Sequence, residues 1–327
     1  MNSAVSVGDT RILIADPIAQ EGIDLLRRRL PLARIDERPG LTPAQLHQEI
    51  GEYSALIVRS ATQVTADILA AATRLRVVGR AGIGLDNIDI EAAARWGIRV
   101  VNSPTGNVNA AAEHTIALLM ALARLIPTAH SSMKAGRWEK SRFLGVEVRG
   151  KVLGIIGLGK VGKEVAQRAR GLSMQVIASD PYVPQEHALA LGVLMVPMEE
   201  LLLQADFVSL HVQLPGRPQG GQRLFGAREF SLLKPGCRLI NCARGGLIDE
   251  EALLQALRSL RLAGVALDVF SREPVDNDPT LRQLLDDERV IATPHLAGST
   301  VEAQIEVATD VARQIADALR EVSLCPV

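Results

Sequence analysis

The chain has 327 residues, 47 % of them hydrophobic, and a formal net charge of −1, which is the length and composition of about two globular domains with ample core for each. The near-cancelling charge removes any electrostatic bias toward nucleic acid or membrane, and 3 % aromatic residues provide no platform for stacking bases. Its three cysteines and six histidines show neither paired nor metal-ligand spacing, so the expectation is a reducing cytoplasm and no metal.

The first residues, MNSAVSVGDTR, lack the basic start and apolar run of a signal peptide, and the apolar stretch from Thr115 to Ala123 is too short to cross a membrane. Arg11 to Asp16 reads as a buried strand, followed by a helix around Gln20 to Leu30. A second helix runs from Thr42 to Glu52, with Thr42 as N-cap and Pro43 in the first turn. Strands follow at 55–58, ending on Arg59-Ser60, at 75–79, ending on Arg80-Ala81-Gly82, and at 98–102, with helices at 65–72 and 90–96 between them. Such alternation predicts a parallel α/β sheet, in which ligands bind beyond the carboxyl ends of the strands. Ala110 to Arg124 is a long apolar helix expected to bridge two domains, and His114 on it reads as a packed or capping histidine.

From Lys151 the chain reads KVLGIIGLGKVGKEVAQRARGLSMQVIASD. A short apolar run breaks at Gly157-Leu158-Gly159-Lys160-Val161-Gly162, a helical pattern follows, and a second apolar run ends on Asp180. Gly157 permits the tight turn, Gly159 lets the backbone approach a pyrophosphate, and Gly162 lets helix pack on strand. The free N–H groups at the start of that helix suit phosphates. Asp180, about 20 residues on, suits the hydroxyls of an adenosine ribose, and a carboxylate there favours NAD over NADP. Further strands are predicted at 207–211, 237–241, 265–268 and 290–292, with a helix at 249–259 and an amphipathic helix at 300–318. Pro215 to Gly221 reads as an exposed loop.

A nicotinamide enzyme needs a proton-exchanging group and a cation that orients its substrate. His295, after a strand and within TPHLAGST, suits the first role because imidazole titrates near neutrality. Glu273, just past the strand ending at Asp268, could pair with it and stabilise the imidazolium. Arg244, in NCARGG, has two glycines giving room around a fork that grips a carboxylate. Taken singly, each has a plain alternative: a surface arginine, a solvated glutamate, a capping histidine. A thiol enzyme built on Cys242 lacks any base in its neighbourhood.

The set GLGKVG with Asp180, NCARGGLIDEEAL, GVALDVFSREP and TPHLAGST resembles the D-isomer-specific 2-hydroxyacid dehydrogenases. Within that family, IVRSATQVTADIL, VVGRAGIGLDNIDIEAA, AAEHTIALLMALAR and AGRWEKSRFLGVEVRGK resemble the branch that oxidises D-3-phosphoglycerate, and the likeness runs from about Arg11 to Ile315. The resemblance implies two doubly wound parallel-sheet domains: a Rossmann NAD domain over 104–296, inserted into a flavodoxin-like substrate domain of 1–103 and 297–327, with the chemistry between them. It implies Arg244, Glu273 and His295 as catalytic residues. For NAD it implies Gly157, Gly159, Lys160, Val161, Gly162, Asp180, His211, Cys242, Ala243, Asp268, Ala297 and Gly298, with Ile83 near the nicotinamide. For the substrate it implies Arg59, Ser60, Arg80 and Gly82.

The implied activity is NAD-dependent hydride exchange at C2 of a D-2-hydroxy acid, most closely D-3-phosphoglycerate, by a cytoplasmic homodimer. Phosphate would require cations, and Arg59, Arg80, Lys140 and Arg142 are candidates, the last two from a partner subunit. Other readings are a hydroxypyruvate or glyoxylate reductase and an NAD-sensing corepressor. Two departures from the family pattern stand out. His211 is followed by VQLPGRP rather than a threonine-bearing H-x-P-L-T-P-x-T, and about 30 residues follow His295, from which the expectation is that a serine-binding ACT-type domain is absent. The expectation is therefore no feedback by serine.

Overall fold

The computed structural model describes residues 10–213, 223–275 and 278–324. The loop anticipated at Pro215 to Gly221 lies outside them. The chain divides into two compact units, one formed by its two ends, through Asn107 and from Ser299, and one by Val108–Gly298.

The first unit runs β1 (Arg11–Ile14), α1 (Gln20–Arg29), β2 (Arg34–Glu37), α2 (Pro43–Glu49), β3 (Ala55–Val58), α3 (Ala66–Ala71), β4 (Val77–Arg80), α4 (Ile90–Arg95) and β5 (Arg99–Asn102). All its strands are parallel, in the order β2-β1-β3-β4-β5, which is the flavodoxin-like winding. Thr42 closes a capping box with Gln45, and Thr65 and Asp89 cap α3 and α4, satisfying N–H groups that a helix start leaves open. The helix anticipated through Glu52 tightens into a 3₁₀ turn at Ile50–Glu52.

The second unit begins with α5 (Val108–Arg124) and α6 (Ile126–Lys134). It continues β6 (Val152–Ile156), α7 (Lys160–Gly171), β7 (Gln175–Ser179), α8 (Gln185–Ala190), β8 (Leu194–Met195), α9 (Met198–Gln204), β9 (Phe207–Leu210), α10 (Ala227–Leu232), β10 (Cys237–Asn241), α11 (Glu250–Arg258), β11 (Leu262–Leu267), α12 (Pro279–Asp286) and β12 (Val290–Ala292). Its parallel order, β12-β11-β10-β9-β6-β7-β8, reverses between β6 and β9, as in the Rossmann fold. The apolar helix anticipated as a bridge is an internal helix of this unit: α5 packs on α7, β10 and β11. Its hydrophobicity is thus that of a core helix, and no described helix is by itself long and apolar enough to cross a membrane.

The chain returns to the first unit as α13 (Val301–Leu324). Each sheet is covered on both faces. In the first, Ile12, Ile14, Ile57 and Val77 pack on Leu26 of α1 and on Val311 and Ile315 of α13, while Leu13, Leu56, Val58 and Val78 face Leu46, Ile68 and Leu69. In the second, Leu153 and Ile155 meet Leu119, Val165 and Ala166, and Val208, Leu210 and Leu239 meet Leu201, Phe230 and Leu253. Two-sided burial explains why these strands are nearly continuous apolar runs.

Candidate active site

β6 ends at the reversal point of the second sheet, and the glycine-rich turn starts there. Gly157 has φ +93°, and a Cβ on it would stand 2.6 Å from the His211 carbonyl oxygen, so both backbone sign and space demand glycine. A Cβ on Gly162 would strike the Gly157 carbonyl, which is the close helix–strand contact that the spacing anticipated. Gly159 differs: a Cβ there meets no protein atom within 4 Å, so the space it keeps open lies outside the fold. Lys160 and Val161 open α7, whose N-terminus has no side-chain cap. A helix start without a side-chain cap is one that suits an anion. Asp180, past β7, accepts the N–H of Leu158 at 2.9 Å and of Tyr182 at 2.9 Å, which fixes the turn and leaves lone pairs for ribose hydroxyls. These features fit a dinucleotide.

His211 follows β9 across the reversal point. Its Nε2 lies 2.8 Å from Ser209 Oγ, and burial pushes its pKa down to about 4, so the ring is neutral near pH 7 although part of the residue stays accessible. Cys242 is half-buried, and burial pushes its thiol up to about 12. A thiol held protonated is no nucleophile.

The three candidate groups, Arg244, Glu273 and His295, follow the ends of β10, β11 and β12. His295 Nδ1 and Glu273 Oε2 are 2.7 Å apart, while Glu273 Oε1 accepts the Phe270 N–H at 3.0 Å. The bond from Glu273 raises the His295 pKa against the opposing effect of burial. Burial alone would lift Glu273, but the bonds from His295 and the Phe270 N–H outweigh it and the carboxyl is lowered. With Nδ1 turned to the carboxylate, Nε2 is the nitrogen left for a proton on a ligand.

His295 has a left-handed backbone, φ +55°, uncommon for a residue with a side chain. Its N–H reaches the Asp268 carbonyl at 2.9 Å and the Thr293 carbonyl at 3.0 Å. The Asp268 carboxylate, 0 % exposed, is turned inward beneath this turn. It accepts the N–H of Leu296 at 2.7 Å and of Ala297 at 2.8 Å, and Thr293 Oγ1 at 2.6 Å. His114 Nε2 reaches it at 3.3 Å from α5. His114 is therefore a partner of the anchor under the histidine turn, a link visible only once α5 lies against β11.

Arg244 leaves β10 on a loop braced by Asn241, itself 0 % exposed. The Asn241 amide donates to the Arg244 carbonyl at 2.9 Å and its oxygen accepts the Ala243 N–H at 3.0 Å. Arg244 is close enough to depress the His295 pKa electrostatically. The first of the two glycines after it serves a different end from the one anticipated: a Cβ on Gly245 would collide with the Phe270 backbone, so this glycine brings the Arg244 loop against the segment that leads to Glu273.

Arg59, Ser60, Arg80, Gly82 and Ile83 stand in the first unit, at the carboxyl edge of its own sheet. Arg59 lines a cavity of about 500 Å³ with Glu21, Ser299, Thr300 and Gln304. A Cβ on Gly82 would stand 2.6 Å from the Arg80 guanidinium, so glycine leaves that side chain its room. The Ile83 carbonyl accepts the Asn102 amide at 2.5 Å. Lys140 and Arg142 lie on a 3₁₀ turn of the second unit, where Arg142 is held by Glu288 at 2.5 Å. Sequence reasoning misses Asn241, His114 and Thr293 as residues of the site; the asparagine beside Cys242 in NCARGG is the one local signal.

Residues 116–297 match the family described as D-isomer specific 2-hydroxyacid dehydrogenase, NAD binding domain. The chain is 47 % identical over 309 residues to D-3-phosphoglycerate dehydrogenase of Synechocystis sp., covering 94 % of this chain and 54 % of that protein. It spans about half the length of the curated relatives it matches. Among solved structures, the TT0316 protein of Thermus thermophilus is 30 % identical with a TM-score of 0.84, covering 95 % of this chain and 97 % of that one. A glyoxylate reductase from Paecilomyes thermophila is 29 % identical with a TM-score of 0.83, covering 96 % of each chain.

Proposed function

The chain belongs to the D-isomer specific 2-hydroxyacid dehydrogenase family, and from that premise we propose that it exchanges hydride between NAD and C2 of a D-2-hydroxy acid, with D-3-phosphoglycerate as substrate. The observation that carries this reading is the 2.7 Å His295–Glu273 pair at the same sheet edge as Arg244. The nicotinamide supplies the hydride acceptor during oxidation and the hydride during reduction.

The second unit is the cofactor domain in this reading. The α7 N-terminus and the open face of Gly159 hold the pyrophosphate, and Asp180 takes the ribose. His295 Nε2 takes the hydroxyl proton as the alcohol is oxidised and returns it to the carbonyl oxygen on reduction, while Glu273 stabilises the imidazolium between the two events. Arg244 grips the carboxylate with its planar fork. The first unit is the substrate domain, with Arg59, Ser60, Arg80 and the backbone at Gly82 facing the anion. By the family resemblance Ile83 is read as a nicotinamide contact, and Lys140 with Arg142 as added charge for a phosphate from a partner subunit.

A homodimer belongs to the same proposal. It is supported by a run of exposed apolar side chains on α6 and the segment after it: Ile126, Met133, Trp138 (80 % exposed) and Leu144 (89 % exposed). Cytoplasmic residence accords with the free thiols of Cys237 and Cys242. The likeness to a glyoxylate reductase favours a second reading, a reductase of hydroxypyruvate or glyoxylate. Assaying phosphohydroxypyruvate, hydroxypyruvate and glyoxylate with NADH and NADPH separates the two. The first reading expects the highest kcat/KM for phosphohydroxypyruvate with NADH, and a clear preference for an unphosphorylated acid would replace it with the second.

A further inference from the structure

The sheet of the first unit reverses its winding between β1 and β3, and the loops that leave these two strands are locked together. Asp16, 3 % exposed, follows β1. Its Oδ2 accepts the Arg59 N–H at 2.6 Å and the Thr62 N–H at 3.2 Å, and its Oδ1 accepts the Thr62 hydroxyl at 2.7 Å. Asn87, 9 % exposed, closes the other side. Its amide nitrogen donates to the Arg59 carbonyl at 2.8 Å and to the Thr62 carbonyl at 2.6 Å, while its own backbone carbonyl accepts the Val64 N–H at 2.8 Å. One carboxylate thus takes the N–H groups at both ends of the Arg59–Thr62 turn, and one amide takes both carbonyls.

Buried polar groups need partners in any fold, but what is braced here is no part of the core. Ser60 and Ala61, at the tip of the turn, are exposed, and Arg59 lines the cavity beside Thr300 and Gln304. Two nearly inaccessible side chains, brought from the ends of other elements, fix the backbone of a surface turn at a topological switch point, where open α/β sheets bind ligands. A buried carboxylate under an anion site would, on charge alone, weaken anion binding. Its presence is therefore accounted for by the geometry it imposes.

We propose that Asp16 and Asn87 are positioning residues for substrate recognition, holding the Arg59–Thr62 turn in the single conformation that presents Arg59 and Ser60 to the anionic end of the substrate. This rests on the reading of Arg59 and Ser60 as substrate contacts, and the test keeps the two apart. Asp16→Asn, Asn87→Ala, Thr62→Val and Thr62→Ser would be made in the full chain, with Arg59→Ala as reference. For each, KM for phosphohydroxypyruvate and for NADH, kcat, Tm and amide hydrogen exchange over residues 58–64 would be measured.

Asp16→Asn, Asn87→Ala and Thr62→Val should raise KM for the oxo acid roughly tenfold or more, since small misplacements of a binding group cost that much. KM for NADH and kcat should stay within about twofold of the parent, exchange should quicken in the turn, and Thr62→Ser, which keeps the hydroxyl, should behave as the parent. If Arg59→Ala raises KM but Asp16→Asn leaves it unchanged or lowers it, the positioning role is wrong. If exchange quickens while neither variant alters KM, the substrate reading of Arg59 fails and takes the proposal with it. A fall in Tm with parallel losses for both substrates would mark the two residues as structural only. Should Asn87→Ala not fold, Asp16→Asn and Thr62→Val carry the same decision.

Discussion

At the scale of single residues, the proposed chemistry turns on one imidazole and the carboxylate behind it. The Glu273 bond raises the His295 pKa and His295 in turn lowers that of Glu273, so the pair is stabilised with the ring cationic. In the proposed reaction, reduction needs the protonated ring and oxidation the neutral one. Reductive turnover should therefore fall, and oxidative turnover rise, as pH passes upward through that raised pKa. Glu273→Gln removes the stabilising charge. Both inflections should then move to lower pH, and pH profiles of kcat/KM in the two directions would check this; an unmoved profile would separate Glu273 from the titrating group. His295→Ala should cost a factor of about 10² to 10⁴ in turnover while NADH still binds by fluorescence. Near-parental turnover would end the assignment. The residue types suggested that Glu273 could pair with His295, but the two lie on separate loops, and it is the parallel pairing of β11 with β12 that makes them neighbours.

At the scale of elements, the strands place these groups and the glycines between them set how closely the loops approach. Gly157 and Gly162 were legible because a turn and a helix seated on the strand that precedes it are local requirements, although the His211 carbonyl also closes on Gly157. Gly245 was not, because the atoms it must avoid belong to Phe270 on another loop. Gly245→Ala should push the Arg244 loop away from the Glu273 segment. Overpacking of this kind costs about 1–3 kcal/mol, and a loss of kcat/KM larger than the shift in Tm accounts for would show that the catalytic geometry moved as well. The mirror case is Gly159, where no protein atom opposes a side chain. β2 shows why some elements escaped notice: Arg34–Glu37 is an edge strand with no buried residue. It carries no apolar run, and Asp36 instead meets the Arg11 guanidinium at 2.9 Å.

At the scale of the whole molecule, charge near neutrality and the exposed apolar run on α6 and beyond bear on assembly. Scattered exposed hydrophobic residues are ordinary, but Met133, Trp138 and Leu144 fall within one short segment, and that concentration is what supports the proposed second copy. Trp138→Glu would place a charge in that surface. Sedimentation should then report a smaller species than for the parent chain, with each unit's helical signal retained. A parent chain that sediments as a monomer would remove the dimer from the proposal and leave the His295 chemistry intact.

What the order of residues determined by itself is whatever depends on near neighbours in the chain. The strand–glycine turn–helix–acid unit ending at Asp180, the cap at Thr42, and the residue types able to exchange a proton or grip a carboxylate all belong here, because backbone geometry and side-chain chemistry act within a few residues of one another. Tertiary structure decided which buried polar groups answer each other. Asp268 beneath the His295 turn with His114 from α5, Asn241 within the Arg244 loop, and Asp16 with Asn87 around Arg59–Thr62 are such sets. A buried donor or acceptor must find its partner in space rather than along the chain, and only the winding of two parallel sheets brings those strand ends together.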